Sequence, residues 1–226
     1  MKVLANAGAG EGQWLHAEKQ SGGKGRLGRV WESPKGNLYC SSLVEIKPAD
    51  PPPSSLSFVS ALAVRNTIAS YLPEANIMLK WPNDILVTDK KICGILLERV
   101  DNMIVVGIGV NIAIAPILPD RKTTSLLAEG AESTLTASRF LEVLSENFAK
   151  TVCIWRQQGL SHILKKWQNR AHPIGATLTV SDEKGRKIAG EYAGLTNHGA
   201  LRLRKSDGAL IEIHAGDVEL DQIHAE

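Results

Sequence analysis

"KWPNDILVTDKKICGILLE", residues 80–98, is the stretch whose reading decides the fold. Two apolar runs flank a charged pair, Asp89-Lys90, which the pattern predicts as the two-residue turn of a β-hairpin. On that register Lys91 pairs with Thr88, Ile92 with Val87, Cys93 with Leu86 and Gly94 with Ile85. Strict alternation then puts Asp84, Leu86 and Thr88 on one face and Ile85 and Val87 on the other. Gly94, inside an apolar strand, removes a side chain where a ligand or another backbone could come close. Trp81 precedes a proline, which holds it extended, and Asn83-Asp84 offers one amide and one carboxylate. A hairpin carrying Asp84 and Lys91 suits a nucleotide phosphate bound through a metal or a ribose. An ordinary hairpin with a charged turn fits these residues equally well.

Upstream, "GQWLHAEKQ" reads as a short strand entering a glycine-rich loop, Gly23-Lys24-Gly25-Arg26-Leu27-Gly28-Arg29. The loop satisfies G-x-G-x-x-G, but a dinucleotide fingerprint must open a helix. Pro34 and Gly36 follow too soon for one. The P-loop pattern fails as well, because Gly28 is followed by Arg29-Val30. Two readings survive: backbone N–H groups lining an anion with Lys24, Arg26 and Arg29 around it, or a solvated basic loop.

A strand from about residue 37 to 46 comes next. "KPADPPPSS" ends in a predicted serine cap for the helix "LSFVSALAVRNTIASYL". "NIMLKW" precedes the hairpin, and "MIVVGIGVNIAI" is apolar enough for an interior strand. From Thr136 a long helix runs to Gly159, a predicted C′ residue, and "SHILKKWQNRA" makes a shorter one. His172-Pro173 breaks the helical pattern. Beyond it, turn signals at Asp182 to Gly185, Asn197-His198-Gly199 and Asp207-Gly208 separate short strands, predicting a small β-barrel. The boundary falls near residue 172.

The 226 residues suffice for one full-sized domain plus a small one, and 43% hydrophobic with 22% charged residues is ordinary for a globular protein. A net charge of +2 gives no general attraction to nucleic acid or anionic lipid, so anion binding must be local. No apolar run is long enough to span a bilayer and the N-terminus has no signal-like core, which predicts a cytoplasmic protein. Cys40, Cys93 and Cys153 are widely spaced and read as reduced, buried small hydrophobes.

Together these segments resemble the biotin protein ligases, enzymes that attach biotin to a lysine of carboxylase carrier domains. Residues Gly23 to Arg29 resemble the family's biotin-binding loop, with Trp31 and "SPKGNLY" after it. Lys80-Trp81-Pro82-Asn83-Asp84 matches its K-W-P-N-D motif. Lys91 and Gly94 fall where the family has a catalytic lysine and a pocket-lining glycine, and "VVGIGVNI" resembles its G-x-G-x-N strand, ending at Asn111. The resemblance covers nearly the whole chain.

It implies an α+β fold: a class II synthetase-like mixed sheet flanked by helices in residues 1–171, and an SH3-like barrel in residues 172–226. It implies ATP, Mg²⁺ and biotin as cofactor and substrates, and the biotin carboxyl carrier protein of a carboxylase as partner, and it admits a homodimer. Lys91 and Arg26 would stabilise phosphate charge. Gln20, Gly23, Lys24, Gly25, Trp31 and Gly94 would join them around biotin. Arg29, Lys80, Asn83, Asp84 and Asn111 would face the nucleotide, with Asp84 holding Mg²⁺ or orienting the adenylate. Lys91 is expected to be solvent-facing without ligand. A lipoate or other acyl ligase of the same architecture, and a non-catalytic biotin or adenylate binder, are the alternative readings.

Two departures stand out. Lys24 replaces an arginine, keeping charge but losing the bidentate fork. The family's Ser-Thr-Asn segment would precede Met1, which implies weakened biotin binding and a poorly anchored segment 1–12. A winged-helix DNA-binding domain has no room, so no DNA partner is expected.

Overall fold

A computed structural model describes residues 1–119, 121–181 and 186–220. A short helix α1 (Lys2–Asn6) precedes strands β1 (Trp14–Ala17) and β2 (Leu38–Glu45), and helix α2 (Leu56–Tyr71) follows. Then come β3 (Ile77–Lys80), β4 (Asp84–Val87), β5 (Lys90–Val100) and β6 (Met103–Val110), and the helical run α3 (Ala137–Gln168). The first sheet has the order β1-β2-β6-β5-β4-β3, and every ladder in it is antiparallel. One face packs on α2 and α3, where Leu56, Val59, Ile68, Phe140, Leu144 and Trp155 are buried together. The other face is left for the site.

The small C-terminal sheet comprises β7 (Thr177–Ser181), β8 (Lys187–Leu195), β9 (Leu201–Arg204), β10 (Leu210–Ile213) and β11 (Asp217–Leu220), in the order β10-β9-β8-β7-β11. Among the described residues no ladder joins its two end strands. The turns at Asn197–Gly199 and Asp207-Gly208 lie where the sequence signals placed them. The signal at 182–185 lies outside the described residues. The C-terminal sheet is tied to the rest of the fold by specific groups. Trp81 Nε1 donates to Gly199 O at 3.1 Å, and Gln168 Oε1 accepts from Leu195 N at 2.9 Å. A Cβ at Gly199 would lie 2.6 Å from the Phe58 ring, so glycine is required for that approach.

Gly159 interrupts α3 with φ 76°, a conformation glycine adopts without strain, so the run is two helices joined at the predicted break. Thr136 caps it, its Oγ1 accepting from Arg139 N. Ser55 does not cap α2. It lies in a helical conformation behind a 3-10 turn, its Oγ donates to Pro52 O, and it accepts from the buried Trp155 Nε1. Satisfying the indole takes the hydroxyl away from the helix end. Cys40 and Cys93 are buried as expected, but Cys153 is exposed on α3.

Within segment 1–12, α1 buries none of its side chains, while the end of the segment is anchored. Glu11 receives two hydrogen bonds from the Arg156 guanidinium, at 2.6 and 2.8 Å, and accepts from Glu45 N, while Gly12 N donates to Leu43 O. Arg156 also holds the buried carboxylate of Asp50 at 3.3 Å. The Arg156 hydrogen bond holds the Glu11 carboxyl below its usual value despite partial burial. A guanidinium fork replaces a strand partner here.

His172, at the junction of the two sheets, is 4% exposed and neither ring nitrogen has a hydrogen-bond partner. Burial, with a contribution from the Lys80 charge, pushes its pKa down from 6.5 to about 4. Between those values the unfolded chain binds the proton and the native one resists it, so stability is full above 6.5 and falls as pH drops toward 4. The expected loss at pH 4 from this group is roughly 3 kcal/mol. Urea unfolding from pH 7.5 down to pH 4.5 should show a decline that is shallower in His172→Gln; parallel pH profiles would exclude His172 as its source.

Candidate functional site

Adjacent strands place Lys80, Asp84, Gly94, Gly109, Tyr39 and Ala17 in one row across the sheet face turned away from the helices. Where a Cβ would stand on Gly94 and Gly109, the Trp31 indole lies instead, 2.8 Å and 2.6 Å from those positions. The predicted space over Gly94 is therefore filled by a ring, with Gly109 as a second, unforeseen requirement.

The hairpin register differs from the prediction. Thr88 and Asp89, at φ 49° and 61°, form the turn, so Lys90 pairs with Val87, Lys91 with Leu86 and Gly94 with Asp84. A bulge between Ile85 and Leu86 leaves Ile92 as the extra residue. Its consequence is chemical. Lys91 and Gly94 are three residues apart and would face opposite ways in a regular strand. The bulge re-aims the lysine, so Ile92 is fully buried while Lys91 and Gly94 both line the cavity.

That cavity, about 410 Å³, is roofed by the glycine loop. Of the residues singled out from the sequence, Gln20, Lys24, Gly25, Arg26, Arg29, Trp31, Asn83, Asp84, Lys91, Gly94 and Asn111 line it. Gly23 and Lys80 do not. Gly23 is needed for space, since a Cβ there would meet Trp31 O at 2.5 Å. Lys80 is half-buried at the end of the row, and burial lowers its pKa although Asp84 opposes this. Arg121, Gly109 and Asp217 were missed. Gly109 had a signal in the G-x-G pattern, whereas the other two come from a long connection and from the C-terminal sheet.

Lys91 is not solvent-facing. Its Nζ is 2.6 Å from Asp84 Oδ1, with the two side chains 14% and 12% exposed, and it lies 5.4 Å from the centroid of the Trp31 ring. The attraction of the adjacent carboxylate draws the chain down along the indole. Asn83 is structural in this state, its amide donating to Ile95 O at 2.5 Å. Asn111 is 2% exposed; its Nδ2 donates to Thr124 O, and its Oδ1 has no partner. Trp31 Nε1 is likewise buried without an acceptor. These two atoms leave one acceptor and one donor unsatisfied at the cavity wall, where polar groups are normally paired. Asn37 was also missed: buried, its Oδ1 accepts from the backbone N–H of Ile112, Ala113 and Ile114, fixing the chain just after Asn111.

Asp84 is committed to Lys91, and among the described residues no three His, Cys, Asp or Glu side chains cluster as a metal site. Glu32, Asp84, Glu98 and Asp217 line the wall but do not gather three to one site. That suits Mg²⁺ held chiefly by phosphate oxygens and water rather than by the protein.

Residues 8–113 match the biotin/lipoate A/B protein ligase family and residues 174–221 the biotin protein ligase C terminal domain. The chain is 31% identical to a biotin–[acetyl-CoA-carboxylase] ligase of Paracoccus denitrificans, covering 86% of this chain and 85% of that one. It is 32% identical to the ligase of the same name from Mycobacterium tuberculosis, over 96% and 83%. The structure of the biotin protein ligase from Aquifex aeolicus in complex with biotin and ATP superimposes with a TM-score of 0.82 at 25% identity, covering 97% of this chain and 93% of that one.

The Trp31 floor makes a direct prediction. Gly109→Ala should destabilise the protein by about 1–3 kcal/mol, because the new methyl overlaps the indole. Adding Trp31→Leu should recover part of that loss, since a smaller side chain can yield. Urea midpoints of the two variants decide it; a second substitution that only adds to the first would mean the clash lies elsewhere.

Proposed function

The chain belongs to the biotin protein ligase family, and we propose that it joins biotin to a protein lysine in two steps within this one cavity. A carboxylate oxygen of biotin attacks the α-phosphorus of ATP, the bond to pyrophosphate breaks, and biotinyl-5′-AMP forms. The amine of an acceptor lysine then attacks the acyl carbon, AMP leaves with the bonding electrons, and the nitrogen gives up a proton. The acceptor is the biotin carboxyl carrier domain of a carboxylase, and the chain divides near residue 172 into a catalytic unit and a smaller C-terminal one.

One observation carries this reading. A cavity floored by the Trp31 indole, which lies over Gly94 and Gly109, has Lys24, Arg26, Arg29, Lys91 and Arg121 on its walls. The indole suits a largely apolar acid, and the cations suit a polyphosphate. Bringing two anions together requires charge compensation and alignment more than a protein nucleophile.

In this scheme Lys91 and Arg26 stabilise charge on the α-phosphate and the departing pyrophosphate. Lys24 and the loop amides from Gly25 cover the bound acid and exclude water from the anhydride. Gln20, whose Oε1 accepts from Ser33 Oγ, reaches the biotin head, and Trp31 walls it. Gly23 and Gly94 act through the space they leave. Arg29, Asn83 and Asn111 serve the nucleotide side, Asp84 sets the position of Lys91, and Lys80 contributes charge from the end of the row.

The direct test is to incubate the protein with ATP, Mg²⁺, biotin and a carrier domain. A mass increase on the carrier equal to one biotinyl group is expected. Pyrophosphate release driven by lipoate and not by biotin would replace the acid in the scheme, and tight adenylate binding with an unlabelled carrier would make the protein a binder.

Lys91→Ala should lower biotin-dependent pyrophosphate exchange about 10²–10³-fold. Because the substitution also leaves Asp84 without its partner, it should cost about 1–2 kcal/mol of stability. Exchange within a factor of about two of the parent would remove Lys91 from the phosphate chemistry. Arg26→Gly should still form adenylate but release it faster, since a lost contact acts chiefly on the off-rate. Biotinylation of bystander proteins in a mixture is the expected signature, and labelling confined to the carrier would argue against that role.

A further inference from the structure

The glycine loop closes largely on itself. Gly25 N donates to Arg29 O, Trp31 N to Gly23 O, and Lys24 bridges Val30. Leu27, at its tip, is exposed and left-handed at φ 55°, a conformation a branched side chain adopts only under constraint. What reaches outside the loop are its two arginines. Arg29 Nη2 lies 2.6 Å from Asp217 Oδ2, and Arg26 Nη1 donates to Gly216 O at 3.2 Å and lies 3.9 Å from Asp217 Oδ1. Both partners sit at the start of β11 in the C-terminal sheet, about 190 positions along the chain from the loop. Asp217 itself lines the cavity.

We infer that Asp217 is a positioning residue that latches the glycine loop shut over the cavity, so that the C-terminal sheet controls how long an adenylate is retained. The latch rests on the adenylate chemistry proposed above. Its own basis is geometric. The loop brings Lys24, Arg26 and Arg29 to a wall that also holds Lys91 and Arg121, so a carboxylate facing the arginines favours closure. Asp217 offers a fixed counter-charge from outside the first sheet, placed by the β11 pairing with β7, in which Asp217 stands opposite Ser181. Gly216, at φ 156°, passes within 2.8 Å of Ser181 O at its Cβ position, which fixes the backbone carbonyl that receives Arg26. The loop is thus held by a carboxylate and a carbonyl on adjacent residues, each aimed at a different arginine. Asp217 touches Arg26 and Arg29 rather than the reacting atoms, so its effect passes through them.

The experiment uses the full chain and three variants: Asp217→Asn, Asp217→Glu and Arg29→Gln. Limited trypsin digestion without ligand should cut after Arg26 about five- to tenfold faster in Asp217→Asn, with Asp217→Glu close to the parent. Biotinyl-adenylate formed in place should leave Asp217→Asn faster by a similar factor, while the thermal midpoint stays near that of the parent. In the Arg29→Gln background the same substitution should add less to either rate than in the parent, because the closer of the two arginine contacts of Asp217, at 2.6 Å against 3.9 Å, is already gone. Unchanged cleavage in Asp217→Asn, or effects of the two substitutions that simply multiply, would overturn the latch. If Asp217→Asn fails to fold, Arg29→Gln alone should reproduce the faster cleavage after Arg26, and its failure to do so would overturn it equally. Absence of any adenylate in the parent would count against the chemistry, and the digestion arm would still decide the latch.

Discussion

An indole can lie flat on a sheet only where the strands beneath it carry no side chains. Trp31 meets that condition because β5 and β6 pair with Gly94 opposite Gly109, so that two bare positions adjoin. The rest of the site follows from this row. Asp84 stands next to Gly94 on β4, the indole edge is where Lys91 comes to rest against Asp84, and the loop carrying Trp31 is drawn over the face together with its arginines. Shifting any of these strands by one residue would present the opposite faces and dismantle floor and ion pair together.

Charge is distributed with the same economy. The cations that line the cavity come from three separated segments, the glycine loop, β5 and the connection after β6, and their repulsion is balanced locally. Asp84 balances Lys91 from within the sheet, and Asp217 balances Arg29 and Arg26 from the C-terminal sheet. Burial raises the Asp217 carboxyl, but the hydrogen bond and charge of Arg29, with Arg26 and Arg121, outweigh it and hold its pKa below the usual aspartate value. The carboxylate therefore stays ionised and able to bind arginine at neutral pH. A whole-chain charge near neutrality conceals this concentration of positive charge.

Around the site, a few polar anchors set the relation of the parts. Arg156 gathers Glu11, Asp50 and Glu45 O, fastening the N-terminal segment and the proline-rich connection to α3. Trp81 spans the junction of the sheets through its indole N–H, and Asn37 fixes three successive amides beyond β6. Arg156 has several directional donors, Asn37 an amide oxygen that takes successive N–H groups and Trp81 a single indole N–H, so in each case one residue fixes the geometry of a segment.

The strands of the first sheet, helices α2 and α3, the break at Gly159 and the motif-bearing residues of the cavity were legible in the sequence, because period, turn residues and short motifs are local properties. Lys91 and Gly94 could be named from their motif, yet simple alternation sent them to opposite faces; a bulge, which no periodicity announces, reconciles them. Ser55 looked like a cap because the sequence does not show that the buried Trp155 indole claims its hydroxyl. Lys91 looked solvent-facing because its carboxylate partner and the indole beneath it are brought there by strand pairing and loop closure. Asp217 carried no signal at all: one of two acidic residues in a short alternating β-strand, it acquires meaning only when folding sets it 2.6 Å from Arg29. The sequence by itself determined which segments are strands, helices and loops and which residue types are available for phosphate and acid; tertiary structure alone decided their register, partners and burial, because those depend on contacts between residues far apart along the chain.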